Sequence, residues 1–159
     1  AQQPDKRPVV LFIGSNAIAT QRQIEQLCAS EQVNRIRLGI DDLETIPQLL
    51  QQGHHLLISL RWNAPDNREN LQSCLALLGQ EAIAGMIISG GDTARLVCDV
   101  AGIQGIQLEE ELLPGLPWGR MIGGEWVGMP ICTKSGRFGK EDAFVQVVEF
   151  ISRQSRQRL

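Results

Sequence analysis

The chain has 159 residues, of which 43% are hydrophobic and 21% charged, and its net charge is −3. This length suits one domain with a sizeable core, and the acidic balance argues against nucleic acid as a partner. No apolar run approaches 18 residues, so the sequence predicts no membrane partner. The polar segment 1–8 lacks the apolar region of a signal peptide and is typical of a linker.

Apolar strands alternate with helical patterns along the rest of the chain. Strands are predicted at residues 9–13, 34–40, 55–60, 85–88, 104–108 and 129–133. Helices are predicted from residue 20 and at 41–52, 67–84, 92–101 and 140–156. This alternation is typical of an α/β fold, a three-layer α/β/α sandwich with a mainly parallel sheet. Glycines and prolines at 114–124 predict a short antiparallel region near the C-terminus.

The start of the first helix carries a local signal. Thr20 and Gln23 have the S/T-x-x-E/Q spacing of a capping box, so we expect them to begin that helix. Ile24 and Leu27 follow at the spacing of an apolar helix face.

The cysteines and histidines give no support for a metal site. Cys28, Cys74, Cys98 and Cys132 form no C-x-x-C pair, and neither a carboxylate nor a cysteine stands at ligand spacing beside His54 and His55. The first three cysteines fall on the apolar sides of predicted helices. We therefore expect buried free thiols in a reducing cytoplasm, and no metal ligands.

Three predicted strand ends carry residues suited to anion binding. They are Gly14 and Ser15, Ser-Gly-Gly-Asp-Thr at 89–93, and Lys-Ser-Gly-Arg-Phe-Gly at 134–139. The carboxyl ends of parallel strands share one edge of a sheet, so the first two segments should lie together. The third joins them if the last strand runs the same way.

The segment 89–93 is the most informative of the three. Gly90 and Gly91 let backbone N–H groups approach a ligand without interference from a Cβ atom. A helix beginning at Asp92 or Thr93 would add unpaired N–H groups and a positive dipole end, which suit phosphate. Thr93 would donate its hydroxyl, and Asp92 would hold a magnesium-bound water. The alternative is a tight turn with Asp92 as the helix N-cap.

The segment 134–139 has two interpretations as well. Its glycines permit a loop over a ligand, with Lys134 pairing with a phosphate, or a simple turn before the last helix. The order of residues is not that of a Walker A motif, and G-x-G-x-x-G is absent after the first strand, which disfavours a dinucleotide-dependent oxidoreductase. Trp118 and Trp126 would either stack on an adenine or pack in the core.

Four motifs in order resemble the C-terminal nucleotide-binding domain of the four-carbon acid sugar kinases. They are Gly-Ser at 14–15 with Thr-x-x-Gln-Ile at 20–24, Ser-Gly-Gly-Asp-Thr-Ala at 89–94, Pro-Gly-x-Pro at 114–117 and Lys-Ser-Gly-x-Phe-Gly at 134–139. The match runs from about residue 9 to residue 151. Arg137 replaces a usual glycine, and the stretch 60–85 is short for the family.

The resemblance implies an ATP-dependent kinase, with Mg²⁺, that acts on a sugar acid such as threonate, erythronate or a 3-oxo form. The residues it implies at the ATP site are Ser15, Gly90, Gly91, Asp92, Thr93, Lys134, Ser135, Gly136 and Gly139. Residues 1–8 would be the linker from a separate N-terminal domain, and 9–159 the nucleotide-binding domain. That other domain would carry the sugar-acid site and the catalytic base, so the chain alone should be inactive. A non-catalytic module that binds a nucleotide or sugar phosphate is the alternative, and a homo-oligomer stays open.

Overall fold

The structure, a computed structural model, describes residues 7–14 and 16–154. Within these residues seven strands form one sheet: β1 (Val9–Ile13), β2 (Val33–Arg37), β3 (His55–Ser59), β4 (Gly85–Ser89), β5 (Gly105–Leu113), β6 (Leu116–Ile122) and β7 (Pro130–Lys134). Their order is β2-β3-β1-β4-β7-β6-β5. The first five in this order are parallel, whereas β6 and β5 are joined antiparallel. The predicted mainly parallel sheet with an antiparallel C-terminal region is confirmed.

Five helices of the described chain cover the two faces of the sheet: α1 (Ile18–Ser30), α2 (Ile46–Gln51), α3 (Asn67–Leu78), α4 (Gly91–Val100) and α5 (Ala143–Ser152). Successive strand side chains point to opposite faces, so β1 supplies two cores. Val10 and Phe12 pack with apolar residues of α2, α3 and α4. Leu11 and Ile13 pack with those of α1 and α5. The predicted three-layer sandwich is confirmed.

The chain leaves the neighbouring strands β1 and β4 in opposite directions. After β1 it continues through α1 towards β2, and after β4 it continues through α4 towards β5. Because α1 and α4 cover opposite faces, a crevice opens outside the carboxyl ends of these two strands. Strand β7 is parallel to β4, with Lys134 in register beside Ser89. All three strand ends singled out in the sequence therefore lie at one edge of the sheet.

Several boundaries differ from the predicted ones for local reasons. The second strand stops at Arg37, and Gly39 then turns the chain with a φ of 83°. The third helix stops at Leu78 because Gly79 has a φ of 68°. Strand β5 runs to Leu113, five residues beyond the predicted end, since β6 pairs with it along that length. The last helix is shorter than predicted at both ends.

The buried face of α1 corrects the expectation for one cysteine. Ile24 and Leu27 face the sheet, and the next residue, Cys28, is turned away and exposed. Cys74 and Cys132 are buried, Cys98 is only partly buried, and all four cysteines are free. Among the described residues, no helix has the length and apolar character needed to cross a membrane.

Candidate functional site

A cleft of about 860 Å³ opens at the carboxyl edge of the sheet, lined by the loops that follow β1, β3, β4 and β7. The predicted site residues that line it are Gly90, Gly91, Asp92, Thr93, Ser135 and Gly136. Lys134 and Gly139 are not among the described lining residues. Ser15 lies outside the described part of the chain. Gly14 lines the cleft too, so the structure brings the first two segments together as expected, and the third joins them because β7 is parallel to β4.

The N-terminal ends of α1, α3 and α4 all reach this cleft. A helix N-terminus presents backbone N–H donors and a positive dipole end, which attract an anion. Gly90, the N-cap of α4, has no side chain to cap the helix. Asp66, the N-cap of α3, makes no capping bond because its carboxylate accepts from Arg61 and Asn70, at 2.8 and 3.0 Å.

Glycines shape the turn between β4 and α4. Gly90 has a φ of 106°, and its N–H donates to the carbonyl oxygen of Lys134 at 2.9 Å, which ties this turn to β7. A Cβ atom on Gly91 would meet nothing within 4 Å, so open space lies directly beside the first residue of the helix. Asp92 is exposed in the first turn rather than acting as the N-cap. The turn therefore leaves its ligand-facing side clear.

A second close approach fixes the loop after β1 against the start of α4. The Gly14 N–H donates to Ser89 O at 3.1 Å. A Cβ atom on Gly14 would lie 1.7 Å from the Thr93 hydroxyl oxygen, far inside contact distance. Gly14 therefore lets two walls of the cleft meet.

The loop after β7 is held by buried side chains of α1, which corrects the capping-box prediction. The helix begins at Ile18, so Thr20 and Gln23 lie inside it and are fully buried. The Thr20 hydroxyl donates to Gly136 O at 2.8 Å. The Gln23 amide donates to Phe138 O at 3.0 Å and to Lys140 O at 3.1 Å. The predicted capping box is wrong, because these side chains bind a loop that is distant in sequence.

Lys134 lies beneath this loop with only 2% of its surface exposed. Its Nζ donates to Ser135 O at 2.9 Å and to Thr20 Oγ1 at 3.4 Å, and it lies 5.5 Å from the centre of the Phe144 ring. Burial lowers the pKa of Lys134 to about 8, against the opposing influence of Cys132. The ammonium group is thus directed at α1 and α5. The expected pairing of Lys134 with a phosphate would require it to point into the cleft.

Two residues that line the cleft, Arg61 and Trp62, were not singled out in the sequence. Trp62 is 79% exposed at the cleft, whereas Trp118 and Trp126, the two considered for adenine stacking, are buried in the core. Arg61 and Arg137 line the same space. The signal that could have identified Arg61 and Trp62 is an arginine next to a tryptophan just after a predicted strand. Within the described residues, no group of three or more His, Cys, Asp or Glu could hold a metal ion.

The fold and the cleft define an α/β domain in which three helix N-termini reach one cleft large enough for a nucleotide. Comparison with known proteins agrees with this class. A model of the family described as "Nucleotide-binding C-terminal domain" matches residues 60–144, just over half of the chain. The chain therefore belongs to this family, the C-terminal domain family of the four-carbon acid sugar kinases, as its motifs predicted.

Named relatives and solved structures cover most of the chain. The D-threonate kinase of Salmonella typhimurium is 25% identical over 185 residues, which cover 94% of this chain and 44% of the relative. The D-threonate kinase of Cupriavidus necator is 31% identical, over 88% of this chain and 39% of the relative. A crystal structure of a Bordetella bronchiseptica domain, a domain-swapped dimer with bound citrate, matches with a TM-score of 0.77 at 24% identity, over 95% of this chain and 41% of that one.

This chain thus spans less than half the length of the curated relatives it matches. The alignment with the Salmonella protein is 185 positions long, more than the 159 residues of this chain, so that relative carries insertions. The structural match, at its low identity, supports the fold.

Proposed function

We propose that this chain binds ATP with Mg²⁺ in the cleft, as the nucleotide-binding part of a kinase for four-carbon acid sugars of the threonate, erythronate or 3-oxo-tetronate type. One observation carries the proposal: three helix N-termini and the loop after β7 converge on one cleft. Backbone amides and helix dipoles hold a polyphosphate without needing a dense cluster of charged side chains. The names of the relatives support the kinase class and the substrate class.

The residues at the cleft fit Mg·ATP. Open space beside Gly91 leaves room for a phosphate against the first amides of α4. The exposed carboxylate of Asp92 at the same turn is the kind of oxygen ligand that Mg²⁺ prefers, directly or through water. Mg²⁺ would neutralise charge on the phosphates, and Arg137 would add positive charge at the rim. Trp62 offers an exposed aromatic face for the adenine.

Phosphoryl transfer depends on positioning and charge neutralisation more than on covalent chemistry from the protein. The first amides of α4, those of Gly91, Asp92 and Thr93, would position the phosphates, with the β7 loop beside them. The base for the sugar hydroxyl would lie in an N-terminal domain, since the family model that matches this chain is described as a C-terminal domain. The isolated chain would then bind nucleotide and not transfer phosphate. The free thiols support a cytoplasmic location, and the dimeric relative supports a homo-oligomer.

Calorimetric titration with Mg·ATP of two matched glycine variants tests the site. Gly91 and Gly105 both have ordinary φ angles, and a Cβ on either meets no atom closer than 4.0 Å. Gly91→Val fills the space reserved for phosphate and should weaken binding at least about tenfold, which is about 1.4 kcal/mol. Gly105→Val on the outer strand should bind as the unchanged chain does. Both variants should keep the melting temperature, and equal binding by Gly91→Val would refute the site.

Turnover by a protein in which this chain is joined to the proposed N-terminal domain tests the reaction. ATP consumption is measured with D-threonate, D-erythronate and 3-oxo-tetronates. Consumption that depends on one of these acids supports the kinase. Nucleotide binding with no turnover on any of them would instead indicate a non-catalytic binding module.

A further inference from the structure

Side chains hold the loop after β7 by donating hydrogen bonds to its carbonyl oxygens. Donors from Thr20, Gln23 and Lys134 reach the carbonyls of residues 135, 136, 138 and 140, at 2.8 to 3.1 Å. Lys134 also donates to the Thr20 hydroxyl at 3.4 Å, so the two side chains support each other. One side of the loop is thus committed to α1.

The orientation of these carbonyls determines where the loop amides point. In a trans peptide the C=O and the N–H of one unit are antiparallel. No cis peptide occurs in the described chain. With the carbonyls of Ser135 and Gly136 directed at Lys134 and Thr20, the following N–H groups, of Gly136 and Arg137, point away from α1. Both residues line the cleft.

The three donors are unusual for their surroundings. Thr20 and Gln23 have no exposed surface and Lys134 has 2%, and they lie beside the apolar layer that α1 and α5 form on the sheet. Burying polar groups is unfavourable unless each is hydrogen-bonded, and an apolar side chain would fill such positions more cheaply. A requirement on the orientation of the loop explains polar residues at all three.

We propose that Thr20, Gln23 and Lys134 are positioning residues that turn the amides of Gly136 and Arg137 into the cleft as a second anion-binding edge, next to the start of α4. This inference deepens the proposed function and rests on it. The ligand class is a polyphosphate, held between two sets of main-chain donors. The three side chains act through the loop and do not touch the ligand.

The test follows backbone amide resonances of the ¹⁵N-labelled chain during titration with Mg·ATP. Thr20→Val keeps the shape of the side chain and removes its donor, whereas Thr20→Ser restores the donor. Gln23→Glu replaces the amide donor by a carboxylate. Gln26→Glu makes the same change at an exposed position of α1 and serves as its control.

In the unchanged chain, Thr20→Ser and Gln26→Glu, the resonances of Gly136, Arg137 and the first turn of α4 should all shift. In Thr20→Val and Gln23→Glu the loop resonances should lose their response while those of α4 keep it, with affinity at least about tenfold weaker. A merely structural role would weaken the responses of the loop and of α4 together, and would not separate the two edges. If Thr20→Val does not fold, Gln23→Glu decides.

Contrary results fall into distinguishable groups. If only the α4 amides respond in the unchanged chain, or if the loop still responds in both donor-free variants, the positioning role is wrong and the proposed function stands. If no amide responds in the unchanged chain, the proposed function and this inference fall together.

Discussion

Replacement of Gly14 by alanine should destabilise the fold through one defined clash. The new Cβ would lie 1.7 Å from Thr93 Oγ1 and 3.0 Å from Thr93 Cβ. Rotating the threonine side chain relieves the first contact, but the second involves an atom fixed to the helix backbone. The loop after β1 or the first turn of α4 must therefore move by several tenths of an ångström.

Overpacking of this kind costs about 1–3 kcal/mol. For a domain of this size, 1 kcal/mol lowers the melting temperature by about 2–4 °C, so a fall of roughly 2–12 °C is expected. The Gly14→Ala change and two changes of Thr93 form a double-mutant cycle measured by urea unfolding. Thr93→Ala removes both γ atoms and should relieve part of the destabilisation. Thr93→Val keeps both and should relieve none.

The cycle can refute the reasoning directly. If Gly14→Ala and Thr93→Ala add with no coupling, the two residues do not clash as the structure requires. If Thr93→Val relieves Gly14→Ala as well as Thr93→Ala does, the contact is with the hydroxyl alone and the backbone does not resist.

Two further predictions concern buried ionisable groups. The pKa of Lys134 is lowered from 10.5 to about 8, so the folded state releases its proton before the unfolded state does. The free energy of unfolding that this group contributes should therefore rise between pH 8 and 10.5, by roughly 3 kcal/mol at most. The measurement is the difference in unfolding free energy between the wild type and Lys134→Met, and a difference that stays constant over this range would contradict the prediction. Burial raises the pKa values of Cys74 and Cys132 to about 12, so at pH 8 a thiol reagent should label exposed Cys28 rapidly and these two only on unfolding. Cys28→Ser should remove the fast phase and leave slower labelling of the partly buried Cys98, whose thiol pKa burial also raises. Labelling of this variant that stays as fast as in the unchanged chain would contradict the prediction.

The central strands β1, β3 and β4 were predictable because burial on both faces leaves a continuous apolar run. Val9–Ile13 is such a run, and all five of its residues are buried. The glycines that end β1 and β4 were equally visible, since a strand followed by glycine and a polar residue has few other interpretations. The place of the cleft then follows from the rule for parallel sheets. Whether the loop after β7 reaches the cleft depends on the direction of β7, which is set by strand pairing that a single sequence does not encode.

Long-range contacts account for the errors. Thr20 and Gln23 have a spacing that serves a capping box and a buried helix face equally well, and the choice depends on a loop more than 110 residues away. Lys134 was expected to pair with a phosphate because a lysine beside a glycine-rich loop often does. Its register on β7 instead directs it to the α1 face, beside Cys132, which belongs to the same core cluster. Only the pairing of β7 with β4 decides that direction.

The two glycines at the walls of the cleft look alike in the sequence, yet the structure gives them different reasons to be glycine. At Gly14 an added Cβ meets the protein itself, 1.7 Å from Thr93 Oγ1, so substitution should be read out as lost stability. At Gly91 an added Cβ meets nothing within 4 Å, so the folded chain alone gives no reason to exclude a side chain. A ligand that occupies this space supplies the reason. Substitution at Gly91 should therefore be silent in unfolding experiments and visible only in binding, and this contrast separates a glycine kept for packing from one kept for a phosphate.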